Sequence, residues 1–160
     1  MSTPATATAP SVVHDTFVVE RSYPVPPARV FAAFADPAQK ARWFGDPSAP
    51  DTVAELDFRV GGREVNRGGP EGGPEYSFEA VYRDIVPDRR IVTTYEMAMD
   101  GARISVSLTS VELLAEGAGT RLVYTEAGAF LDGLDEPGAR EHGTNELLDA
   151  LGRVLEAEPA

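Results

Sequence analysis

Glu126 and His142 are the two side chains whose types and positions could do acid–base chemistry in this chain of 160 residues. Glu126 follows Leu122 and Tyr124 at intervals of two, so a strand that continues past Thr125 turns all three to one side. A carboxylate facing a dry cavity is held protonated to higher pH and can serve as an acid or a base. His142 comes soon after, near the start of a helical stretch, and an imidazole beside a carboxylate is a candidate general base. The competing reading ends the strand at Thr125, leaves Glu126 in water and makes His142 a solvated or capping residue. Asp132, between them, reads as a turn residue.

Other chemistries find no motif. The glycines of Arg67 to Glu75 (Gly68, Gly69, Gly72, Gly73) resemble a phosphate cradle, but the Gly-Lys-Ser/Thr sequence and the following helix are missing. Cysteine is absent, there are two histidines, and His14 lies at the edge of an Ala/Thr/Pro leader, too few ligands for a zinc site. No Gly-x-Ser-x-Gly sequence offers a nucleophile. No cofactor and no metal are expected.

A second set of residues could bind rather than react. By strand parity Phe58, Tyr76, Phe78, Tyr95, Met97, Ile104, Val106 and Tyr124 face inward, with Trp43 and Phe44 at the mouth of whatever they enclose. Phe130, beyond the last strand, and Thr144, at the helix start, complete the candidate lining. Such residues are either plain core or the wall of a cavity. The tyrosines favour a cavity, since a buried phenol needs a hydrogen-bond partner that a ligand or water can supply. Arg21 shares the parity of Phe17 and Val19, and is expected at the strand end, reaching to water.

The elements that must position these residues are mostly strands. Thr16 to Tyr23 is a first strand, stopped by Pro24, Pro26 and Pro27. Two short helices follow, one carrying Val30, Phe31 and Phe34, the other entered at Asp36-Pro37 and left at Gly45. Strands then run over Val53 to Val60, Arg63 to Asn66, Tyr76 to Arg83, Ile91 to Met97, Arg103 to Leu108 and Arg121 to Thr125. Asp100-Gly101 is a two-residue hairpin signal. Arg140 to Leu155 is the one long helix, with Thr144, Leu147, Leu148, Leu151, Val154 and Leu155 on a single stripe. The order gives an α+β domain: a curved, seven-stranded antiparallel sheet wrapped on a long C-terminal helix. A cavity between sheet and helix is the expected by-product.

Fourteen basic against 26 acidic residues give a formal charge of −12, a surface that repels phosphate backbones and anionic lipid. No nucleic acid and no membrane partner are therefore expected. The expected organisation is a disordered leader over 1–14, one domain over 15–156 and a tail over 157–160. The expected setting is the cytoplasm, as a monomer or homodimer.

The run Pro26-Pro27-Ala28-Arg29-Val30-Phe31-Ala32-Ala33-Phe34-Ala35-Asp36-Pro37, followed by Arg42-Trp43-Phe44-Gly45, resembles the family named after the C-terminal domain of the activator of Hsp90 ATPase. So do Asp57-Phe58-Arg59-Val60-Gly61-Gly62 and the strand-turn-strand Asp84-Ile85-Val86-Pro87-Asp88-Arg89-Arg90-Ile91. Glu126 to Gly133, with Arg140-Glu141-His142-Gly143, is similar to a bacterial subgroup labelled SRPBCC or polyketide-cyclase-like. The resemblance implies the helix-grip fold of the START-like (Bet v 1-like) superfamily over roughly residues 15 to 156. Many relatives carry Trp where this chain has Thr144, and its loss implies a larger or more open cavity end.

Three functions fit these readings. The first is binding of a small, largely apolar molecule between sheet and helix. The second is a cyclase, dehydratase or hydrolase using Glu126, His142 and a tyrosine. The third, implied by the family's namesake, is a module that docks on an Hsp90-type chaperone.

Overall fold

Period-two patterning yields a continuous antiparallel ladder. A computed structural model describes residues 9–45 and 53–158. Its elements are β1 (Val12–Tyr23), α1 (Pro27–Ala35), α2 (Pro37–Lys40), β2 (Val53–Leu56), β3 (Arg63–Gly68), β4 (Tyr76–Val86), β5 (Arg90–Met99), β6 (Ala102–Glu116), β7 (Gly119–Leu131) and α3 (Pro137–Ala157). The sheet has seven strands in the order β1-β7-β6-β5-β4-β3-β2. Each neighbouring pair is antiparallel. The two short helices fill the excursion between β1 and β2, and α3 closes the fold. No helix among the described residues is long and apolar enough to cross a membrane.

The local chemistry explains most boundaries. Pro27, Pro37 and Pro137 each stand in the first turn of a helix, where the missing N–H has no intrahelical partner to lose. Asp36 caps α2 by accepting a hydrogen bond from the Ala38 N–H. Asp100 and Gly101 both take positive φ, 50° and 83°, the geometry a two-residue hairpin between β5 and β6 demands.

Several elements run longer or shorter than the pattern suggests. β1 begins at Val12, so residues 12–14 belong to the sheet, paired with 129–131 of β7, and not to the leader. Residues 1–8 lie outside the described ones. The strand read over Val53 to Val60 stops at Leu56, and Phe58 sits in the corner that follows. β7 runs on to Leu131, with Phe17 of β1 opposite Glu126, so the strand does not end at Thr125. The last helix starts at Pro137, three residues before Arg140.

The largest departure is in β6. Met97 pairs with Ser105, but Ala98 pairs with Arg103, which leaves Ile104 as an extra residue. This bulge inverts the alternation after Ile104. Ser105, Ser107, Thr109, Val111 and Leu113 are buried, whereas Val106 and Leu108 face outward. The expectation that Val106 points into the molecule is therefore corrected: it is 40% exposed.

The packed core lies between the sheet and α1 plus the C-terminal half of α3. Val30, Ala33 and Phe34 of α1 meet Leu148, Leu151 and Leu155 of α3 and Phe17, Val19, Leu113 and Leu122 of the sheet. Full burial of each leucine contributes about 2 kcal/mol. Tyr23 donates its hydroxyl proton to the Leu148 carbonyl at 2.7 Å. The Arg21 side chain remains 26% exposed. It clasps the outside of α3, with Nη2 2.7 Å from Asn145 and Nε 3.0 Å from Asp149. It stands opposite Leu122, four residues along β7 from Glu126.

Candidate functional site

The N-terminal half of α3 does not pack down on the sheet. Between them lies a cavity of about 470 Å³, within the range of small-molecule sites. Of the residues expected to line it, Trp43, Phe44, Phe58, Tyr76, Phe78, Tyr95, Met97, Ile104, Tyr124 and Thr144 do so. The walls are largely rings in edge or tilted contact: Phe44 with Phe78 at 5.2 Å and Phe78 with Tyr95 at 4.7 Å between centroids. Trp43 is pinned by its indole N–H, which donates to the Ala33 carbonyl at 3.0 Å. Two expected members are absent from the wall. Val106 is turned away by the bulge. Phe130 is buried instead beneath Arg140, whose guanidinium lies 5.3 Å from its ring centre.

Glu126 is fully buried and stands behind the wall, with three hydroxyls donating to it. Tyr95 and Ser107 reach Oε2 at 2.6 and 2.8 Å, and Tyr124 reaches Oε1 at 2.7 Å. Three donors that converge on one carboxyl call for the ionised form. The counter-charge is Arg140. Its Nη1 lies 2.8 Å from the Tyr95 hydroxyl and 3.4 Å from Glu126; its Nη2 binds Ser105 at 2.8 Å and Asp135 at 2.6 Å. Burial, with the negative charge of Glu126 next to it, pushes the Tyr95 and Tyr124 hydroxyls well above their ordinary pKa. The network thus holds both phenols neutral, with their protons directed at the carboxylate. Gly128 makes room for it: a Cβ there would come 2.8 Å from the Phe130 ring and 3.1 Å from the Ser107 hydroxyl.

His142 does not meet Glu126. Its side chain is 76% exposed and pairs with Glu146 one turn on, at 3.1 Å. Successive residues turn about 100° around a helix, so His142 points about 200° away from Arg140. Arg140 shares the buried stripe with Thr144 and Leu148, one turn apart each. That spacing was readable, and Arg140 is the residue the sequence reading passed over. Thr144 donates back to the Arg140 carbonyl at 3.0 Å.

The cavity has a second charged end that no motif announced. Lys40 at the end of α2 and Glu64 of β3 are both buried and joined at 2.6 Å. The Tyr82 hydroxyl donates to the same Glu64 oxygen at 2.7 Å. Burial, then the Glu64 charge, pushes that phenol far up as well. The Lys40 ammonium also lies 4.6 Å from the centre of the Phe44 ring, a cation–π contact. The signal for Glu64 is register: it pairs with Ala80, whose parity with Phe78 and Tyr82 turns inward. Nothing local to Lys40 marks it as buried.

The family model described as Activator of Hsp90 ATPase homolog 1-like protein matches residues 24–156. The chain belongs to this family. Its architecture is the helix-grip fold of the START-like, SRPBCC superfamily. Similar members have solved structures. The Mll3558 protein of Rhizobium loti is 52% identical, over 91% of this chain and 99% of its own, with a TM-score of 0.86. An uncharacterized protein from Rhizobium leguminosarum is 44% identical, over 94% of this chain and 100% of its own, with a TM-score of 0.87. Protein CV1439 of Chromobacterium violaceum is 26% identical, over 88% of this chain and 96% of its own, with a TM-score of 0.75. No curated protein matches the chain.

Proposed function

We propose that this member of the Activator of Hsp90 ATPase homolog 1-like family binds a small, largely apolar molecule in the cavity between the curved sheet and α3. The observation that carries the reading is an aromatic-walled space of about 470 Å³ at the place where helix and sheet should otherwise close. Apolar walls with a few fixed polar groups are the usual composition of small-molecule sites. The polar groups here are held rigidly: Tyr95 and Tyr124 by Glu126, and Arg140 by Ser105 and Asp135. A wall that is already organised costs less to occupy than one that must be ordered by its ligand. Glu126 supports binding rather than turnover in this arrangement, because its oxygens are committed to the Tyr95, Ser107 and Tyr124 hydroxyls.

The test is native mass spectrometry of freshly purified protein. The expected spectrum carries an adduct that is lost on denaturation, and Phe78→Trp, which fills part of the cavity, removes it. A spectrum with no adduct, and none after incubation with apolar aromatic compounds, would discard the reading.

A further inference from the structure

We infer that the cavity selects an uncharged, planar molecule of two or three rings with a hydrogen-bonding group at each end. One group donates to the Tyr124 oxygen, and the other accepts from the Lys40 ammonium. This rests on the binding reading above and names the class of molecule it serves.

The argument starts from what each polar end has left to offer. At one end the Tyr124 proton is committed to Glu126, so its oxygen can only accept. The Tyr95 oxygen is already used, because it accepts from Arg140. Arg140 in turn spends its Nη1 and Nη2 protons on Tyr95, Glu126, Ser105 and Asp135. The Nε–H takes no acceptor among the described residues, but Glu126 and Asp135 balance the guanidinium charge, so Arg140 is a brace and not a site for an anion. Tyr124 remains, and it lines the cavity. At the other end Lys40 has three protons. One goes to Glu64 at 2.6 Å, and a long contact of 3.4 Å reaches Tyr82. Among the described residues no further acceptor takes its remaining donor capacity, and it too lines the cavity. The two ends therefore ask for opposite partners, which a hydroxyl at each can supply.

Charge is excluded by the same accounting. Lys40 is paired with Glu64, and Arg140 with Glu126 and Asp135. An ionic ligand group would enter without a counter-ion and lose its hydration. The body of the molecule is set by the rings between the poles. Lys40 lies over Phe44, Phe44 touches Phe78, Phe78 touches Tyr95, and Arg140 lies 5.6 Å from the Tyr95 centre. Three contacting side-chain rings, set at 64° and 38° to one another, offer faces and edges that favour an aromatic body over a flexible chain.

The experiment measures the affinities of stilbene, its para-hydroxy and para,para′-dihydroxy derivatives and its para,para′-dicarboxylate by fluorescence titration. The diol is expected to bind roughly tenfold or more tightly than stilbene, the monohydroxy compound between them and the dicarboxylate weakest of all. Tyr124→Phe should cancel the gain from one hydroxyl. The double variant Lys40→Met with Glu64→Leu should cancel the gain from the other; it leaves no buried charge and so keeps the fold. Equal affinities for stilbene and diol, a gain unmoved by both variants, or preference for the dicarboxylate would each overturn this inference while leaving cavity binding intact. If no stilbene binds and the native mass spectrum is also bare, the binding reading itself falls.

Discussion

At one end of the cavity Glu64 has an ammonium and one phenol; at the other Glu126 has a guanidinium, two phenols and a serine hydroxyl. Both carboxylates are buried, so both must be compensated. The first is compensated by a pair that is almost self-contained. The second is compensated by groups from β5, β6, β7 and α3. Its members are also mutually dependent, since Tyr95, Ser107 and Tyr124 have Glu126 as their acceptor. The difference separates two uses of buried charge. The Lys40–Glu64 pair is a local feature of the wall. The Glu126 network ties the first turns of α3 to the sheet across an opening that would otherwise let them part.

The comparison can be broken most directly at Glu126. Glu126→Leu strands two phenols, a serine and part of a guanidinium, and should cost about 5 kcal/mol in denaturant unfolding. Lys40→Met leaves Glu64 buried with one phenol and no cation, and should cost about 3 kcal/mol. Adding Glu64→Leu should restore all but about 1 kcal/mol, a recovery that a second substitution at the Glu126 end should not give. Arg140→Lys keeps the charge but cannot reach Tyr95, Ser105 and Asp135 together, and about 2 kcal/mol should be lost.

Alkali sharpens the contrast. The Tyr82, Tyr95 and Tyr124 hydroxyls are raised above the ordinary value of 10.0. The folded state therefore keeps protons that the unfolded chain gives up. The stability this contributes is complete below pH 10 and falls as pH rises beyond it. Between pH 10 and 11, Tyr82→Phe should reduce that fall by about 1 kcal/mol, read from unfolding curves at each pH. The smallest effect is expected at His142→Ala, within about 0.5 kcal/mol at neutral pH, because its ion pair with Glu146 is exposed.

How far the sequence carried each end follows from the range of the interactions. Strand periodicity, Pro27, Asp36-Pro37 and Asp100-Gly101 act over a few residues, and they yielded the element order and the antiparallel sheet. The ring wall followed from parity, because β4 stays in register from Tyr76 to Tyr82 and β5 from Ile91 to Met97. Glu126 followed from parity too, once the strand continues. Arg140 could have been found from its one-turn spacing to Thr144. Lys40 and Glu64 could not be paired by inspection. They lie 24 residues apart, and each is buried only because the other is. The placement of Val106 failed for a related reason. A bulge is settled between strands, and nothing in Ile104-Ser105-Val106 itself announces one.

That extra residue in β6 works like a frameshift for the sheet. Downstream of Ile104 it decides which of two interleaved messages is turned inward: Ser105, Ser107 and Thr109, or Val106 and Leu108. Excision of Ile104 would present the greasy message in place of the hydroxylic one, and would strip Ser107 from Glu126 and Ser105 from Arg140 in one step. Chains on this fold can thus exchange the residues that face inward by gaining, losing or sliding a single residue in a strand, a change that comparison of residues position by position would record as a gap.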